Sequence, residues 1–200
     1  MPHLSPTLAP AVSDYHFITR WRLPATCEEV YRTLEDVNAL ADWWPSVYLD
    51  VKTLEPGQPG GVGKLVALYT KGWLPYTLRW RFRVTETDFP NGFALEAIGD
   101  FVGRGVWSFR PVEAGLSAGA SAEEGLCEVT YNWQIRAEKP LLRWLTPVLR
   151  PLFSANHLWA MRRGEESLRL ELLRRRAQTP AEREKIGPPP GPTFPHNLGR

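Results

Sequence analysis

Asn156, Arg163 and Ser167 are the residues whose spacing points most directly to chemistry, because they interrupt a stripe that is otherwise apolar. Together with Leu142, Leu145, Leu149, Leu152, Phe153 and Ala160 they fall on one helical face at 100° per residue. A buried polar group without a partner costs about 1–3 kcal/mol, and an unpaired charge costs more. All three therefore need partners. One solution is a ligand head group, for which the planar fork of Arg163 suits a carboxylate or phenolate. The other is internal, with Asn156 bonding a strand carbonyl and Arg163 pairing with a carboxylate or reaching out to solvent.

Trp80, Trp107, Tyr131 and Trp133 recur at alternating strand positions. They share the face expected to be concave, where each is either a cavity wall or packing against the helix. Tyr131 adds a hydroxyl able to donate a hydrogen bond or act as a weak acid. His157 lies 100° around the helix from Asn156, toward Met161 and Leu168. Lacking a carboxylate to orient it, it reads more as a packed residue than as a general base. Glu96 faces the hollow or pairs with the row Arg79, Arg81 and Arg83, since a one-residue change of register reverses its side. No residue is assigned a catalytic role. The run Gly60-Gly61-Val62-Gly63-Lys64 is a turn rather than a phosphate loop, because Gln58 stands where the first glycine is required and Leu65 where the hydroxyl is required.

Composition narrows the partners. Twenty-four Lys and Arg against 22 Asp and Glu leave a formal charge of +2, which gives no broad attraction to nucleic acid or an anionic membrane. Cys27 and Cys127 form no CxxC pair, and His3, His16, His157 and His196 are scattered, so neither a disulfide framework nor a zinc site is expected. No cofactor motif is present. No apolar run approaches the roughly 18 residues a membrane span needs, so stable membrane insertion is not expected and a soluble, cytoplasmic protein is. The 200 residues carry nine tryptophans, most of which must be core.

The elements that position these side chains can be read in order. Tyr15 to Leu23 alternates as a strand, and Pro24 closes it. Thr26 is placed as an N-cap, with Glu28 and Glu29 in the first turn of a helix whose apolar face is Val30, Tyr31 and Leu34. A second short helix from about Asp36 ends at the hinge Trp43-Trp44-Pro45. Strands follow at Val47 to Leu54, Lys64 to Thr70, Thr77 to Glu86, Phe93 to Ile98, Val102 to Arg110 and Cys127 to Ile135. A loop with four glycines precedes the second of these, and Asn91-Gly92 turns a hairpin. From Pro140 the period becomes helical to Arg176, with a kink or a separate short helix expected at Pro147 and Pro151. Residues 1–13 read as an N-terminal extension, 14–176 as the folded domain and 177–200 as a Pro-rich tail, extended and polyproline-like.

This order of elements resembles the START-like SRPBCC superfamily and its helix-grip fold. The resemblance covers about four-fifths of the chain. It rests on Pro24 with Val30-Tyr31 opening the first helix, Trp43 and Pro45 at the hinge, Gly61 to Gly63 before a strand, Gly105-Val106-Trp107 on a late strand, and the amphipathic C-terminal helix. It implies an α+β fold in which a curved antiparallel sheet of about seven strands wraps on a long C-terminal helix, with two short helices after strand 1. It also implies an apolar molecule held between sheet and helix, the hinge bordering the mouth of that cavity.

The expected function is binding or carriage of a hydrophobic small molecule such as a lipid, an isoprenoid quinone or a polyketide-like aromatic. Trp80, Trp107, Tyr131, Trp133, Asn156, Arg163 and Ser167 are the candidate ligand-binding residues. An alternative is a polyketide cyclase, aromatase or dehydratase using the same cavity. A second alternative is a protein-interaction module, with the Pro-rich tail as the contact for a protein partner.

Overall fold

The computed structural model describes residues 15–112, 125–138 and 140–193. The N-terminal extension and the Ala, Gly and Ser-rich connection after Val112 lie outside them, as do the side chains of Leu142, Leu145 and Leu149.

Seven antiparallel strands form one sheet: β1 (Tyr15–Leu23), β2 (Tyr48–Glu55), β3 (Leu65–Lys71), β4 (Thr77–Asp88), β5 (Gly92–Gly99), β6 (Phe101–Val112) and β7 (Leu126–Ala137). Strands β2 to β7 meander, and β1 closes on β7, giving the order β1-β7-β6-β5-β4-β3-β2. Two short helices, α1 (Cys27–Glu35) and α2 (Leu40–Trp43), follow β1, with a 3-10 turn over Val37–Ala39 between them. The long helix α3 (Pro140–Arg176) lies across the concave face. This is the helix-grip architecture that the order of elements implies.

Local chemistry explains most boundaries. The Thr26 side chain accepts from the Glu29 backbone N–H at 3.2 Å, and the Glu29 carboxylate accepts from the Thr26 N–H at 2.8 Å, a reciprocal cap that starts α1. Gly57, Gly60, Gly61 and Gly63 all have positive φ in the loop before β3, a conformation that costs other residues strain. In β4, Phe82 and Val84 are buried while Arg79 and Arg81 on the opposite face are not, as the alternation predicts. Glu96 sits on the outer, exposed face, in register with Arg83 and Arg104, which settles its direction.

One expectation is corrected and two are narrowed. Of the kink or separate short helix expected at Pro147 and Pro151, the separate helix is not found, since α3 runs as one helix through both. Pro151 itself is exposed. In the tail, residues Pro180–Glu184 form a fourth helix, α4, because Thr179-Pro180-Ala181-Glu182 supplies a capping box with proline at the first position. The inward face of α3 is also wider than the expected stripe. Phe153, Asn156 and Ala160 border the cavity and Ser167 is buried, Arg163 stands at the margin, and the adjoining row Met161, Gly164, Leu168 and Leu172, about a quarter turn on at 100° per residue, is buried as well.

Gly164 admits a close contact on that adjoining row. A Cβ at this position would overlap Cζ2 of Trp44, so the indole lies directly on the helix backbone. Cys27 and Cys127, expected to form no disulfide framework, are free thiols whose sulfurs are 3.1 Å apart where α1 begins against β7.

Candidate ligand cavity

Between the concave sheet and α3 lies a chamber of about 170 Å³. Its floor is aromatic because of a register on β6 and β7 that opposes Trp107 to Tyr131 and Gly105 to Trp133. The Trp107 and Tyr131 rings stack at 4.0 Å and 15°, and Tyr131 and Trp133 at 5.5 Å and 22°. A Cβ on Gly105 would stand 2.9 Å from both the Trp133 ring and the Tyr131 hydroxyl, so the glycine makes room for this stack. Trp80 of β4 closes the side, 5.9 Å from Trp133, and its Nε1 donates to Thr70 Oγ1 at 3.0 Å.

Asn156 and His157 face the chamber from α3. The Asn156 Oδ1 accepts from the backbone N–H groups of Trp73 at 2.9 Å and Leu74 at 3.2 Å. Its amide group fills the space that a side chain at Gly72 would need. Asn156 thus clamps the β3–β4 connection to the helix while lining the cavity. This is the internal solution read from sequence, with loop N–H groups in place of a strand carbonyl. His157 stacks on Phe17 at 4.0 Å and 16°, and its buried Nε2 has no partner among the described residues. Burial lowers its pKa to about 4, so the ring is neutral at pH 7.

The other titratable groups of the chamber are Tyr15, Tyr48, Lys71, Tyr76 and Tyr131. Burial raises Tyr131 well above the usual phenol, with Tyr48 adding to the effect, and burial alone raises Tyr48. Tyr76 is pushed up to about 12 by burial, then by Tyr15. These three phenols stay protonated at neutral pH and can donate. Lys71 is itself buried, and no Asp or Glu lines this chamber among the described residues.

A second chamber, about 90 Å³, lies beneath α1 and α2, where Tyr31, Leu34 and Trp107 contribute, with Glu35 and Lys64 at its edge. The two chambers share Trp44, Tyr48, Trp80, Tyr131 and Met161. Trp44 thus borders both spaces and is itself buried.

Five of the seven candidate residues come together around this space: Trp80, Tyr131, Trp133 and Asn156 at the larger chamber, Trp107 at the smaller. The other two do not. Arg163 projects from the side of α3, where its guanidinium pairs with Glu166 at 2.9 Å and lies 6.0 Å from the Trp159 ring. Its charge is satisfied and partly in water. Ser167 is fully buried but lines neither chamber, and its Oγ has no partner among the described residues. The reading from sequence missed Trp44, Tyr48 and Met161. The available signal was Gly164, a glycine inside a helix, which marks close approach of another group.

The described residues contain no cluster of His, Cys, Asp or Glu arranged to hold a metal, and no helix among them is long and apolar enough to cross a membrane. Fold and cavity together define the class, a helix-grip protein with an apolar hollow between its sheet and its C-terminal helix. Within that class, residues 23–161 match the family described as polyketide cyclase / dehydrase and lipid transport, and the chain belongs to it.

Solved structures share the fold at low identity. A protein from Thermus thermophilus is 18% identical with a TM-score of 0.60, over 82% of this chain and 100% of the other. The Zhui aromatase/cyclase of a Streptomyces species is 20% identical with a TM-score of 0.58, over 82% and 96%. The di-domain aromatase/cyclase BexL is 12% identical with a TM-score of 0.56, over 78% of this chain and 48% of the other. A comparison with curated proteins finds no match.

Proposed function

We propose that the protein binds a hydrophobic small molecule, of the lipid, isoprenoid quinone or polyketide-like aromatic class, between the sheet and α3. The observation carrying this reading is the aromatic-walled chamber of about 170 Å³. Ligand sites are concave and mostly apolar, with a few placed polar groups, and here those groups include Asn156, the neutral His157 and three protonated tyrosines. Membership of a family whose description includes lipid transport supports the same reading.

Cyclase, aromatase or dehydratase chemistry in the same cavity is the second reading. It is favoured by the unpartnered Nε2 of His157, a neutral base facing a chamber that also holds phenolic hydroxyls. The absence of a carboxylate on that chamber places it second, since nothing there among the described residues orients the imidazole.

The test is native mass spectrometry of the purified protein, with thermal unfolding against a panel of lipids, quinones and hydroxylated aromatics. Binding is expected to add a discrete apolar mass and to raise the melting temperature. A ligand at 100 times its Kd contributes about 2.7 kcal/mol. No mass adduct, together with no thermal shift across the panel, would remove the reading.

A further inference from the structure

The two chambers together raise a question of size. A cavity of about 150 Å³ holds one benzene ring, so the larger chamber, at about 170 Å³, accommodates a single ring as it stands. The smaller, at about 90 Å³, is too small for a ring of its own. A lipid chain or a fused-ring molecule needs both spaces at once, and five side chains border both of them.

Those five are four aromatic side chains and one methionine. The aromatics are held. Trp44 is pressed on the backbone of Gly164 and stacks with Trp43 at 5.5 Å, and Tyr48 meets Trp44 edge-on at 5.2 Å. Trp80 is hydrogen-bonded to Thr70, and Tyr131 is stacked between Trp107 and Trp133. Met161, projecting from α3, is the exception. Its side chain is unbranched, with three rotatable bonds and no hydrogen bond to break, and such a side chain repacks at low cost.

We propose that Met161 is a movable partition within one continuous site, and that its displacement lets the protein take elongated apolar molecules that span both chambers. The inference rests on the ligand-binding reading above and adds the residue that sets ligand size. Met161 is a specificity-determining residue here, since a single-ring ligand fits without moving it and a longer one does not.

The test measures binding of phenol and of 1-hydroxyanthraquinone, by calorimetry and tryptophan quenching, to the full chain and to two variants. Met161→Leu keeps the volume but adds a branch that restricts rotation; it is expected to weaken the three-ring ligand about tenfold and to change phenol, which touches Met161 without displacing it, by less than about threefold. Met161→Ala removes the partition and is expected to strengthen the three-ring ligand by a similar factor. If the alanine variant fails to fold, the leucine variant alone decides. Parallel changes for both ligands, or no change for the three-ring ligand, overturn the partition while leaving the cavity reading intact. Failure of the full chain and both variants to bind either molecule overturns both.

Discussion

Beyond Gly164, α3 is fastened to the body at successive turns, whereas ahead of it the same helix roofs open space. In the C-terminal half, Leu168 and Leu172 are buried, Arg169 donates to the Arg22 carbonyl, and Arg175 pairs with Asp36 at 2.9 Å. Arg176 grips both oxygens of Glu29, at 2.7 and 2.9 Å, and donates to the Pro24 carbonyl. Beside that guanidinium the Glu29 carboxyl is lowered to about 2. In the other half, Phe153, His157, Ala160 and Met161 border the chamber, and Asn156 ties the helix to the β3–β4 connection. One stretch of helix supplies anchorage and the other supplies the site, so substitutions in the two halves should have separable effects.

The largest expected effect is on stability and belongs to the anchored half. Leu168→Ala should cost about 2–5 kcal/mol in urea unfolding, since the side chain is wholly buried and leaves a cavity. Phe153→Ala, at a half-buried position on the chamber, should cost clearly less, on the order of 1 kcal/mol. Equal losses would break the contrast between the halves.

A second expectation concerns pH. The His157 pKa is lowered from its usual value to about 4, so the unfolded chain takes up this proton before the folded one does. The contribution is present above about pH 6.5 and is lost as pH falls toward 4, at about 1.4 kcal/mol per pH unit. His157→Phe should flatten stability across that window. An unchanged slope would mean that the ring is not buried as described.

The smallest effect sharpens the boundary of the site. Arg163→Leu should change stability by no more than about 0.5 kcal/mol and leave binding of phenol and 1-hydroxyanthraquinone unaltered, because its guanidinium faces Glu166 and solvent. Loss of affinity would return Arg163 to the cavity.

Much of this was legible in sequence where a pattern has a fixed period and a clear phase. The alternation of β4 and β7 sorted inward from outward residues correctly, the limits of β1 were read residue for residue, and the glycine loop before β3 has the turn conformations its composition required. The width of the inward face of α3 was not legible. Asn156, Ala160, Arg163 and Ser167 make one row and His157, Met161, Gly164 and Leu168 its neighbour, and both rows have helical spacing. Of the first row only Arg163 turns to solvent, and the second row is buried as well where Trp44 lies on Gly164, a tertiary contact that no local pattern along the chain records. The same contact holds Trp44 against both spaces, so its place on their lining was equally hidden.

The most direct test of an apolar site under α3 uses the scarcity of methionine. The chain has two, Met1 and Met161, so protein labelled with carbon-13 at the methionine methyls should give one signal from each. Titration with 1-hydroxyanthraquinone should shift the Met161 methyl by ring current and produce contacts between it and the ligand protons, with the Met1 signal unmoved. A Met161 methyl that keeps its position while the ligand is shown by calorimetry to be bound would place the molecule elsewhere and contradict the account.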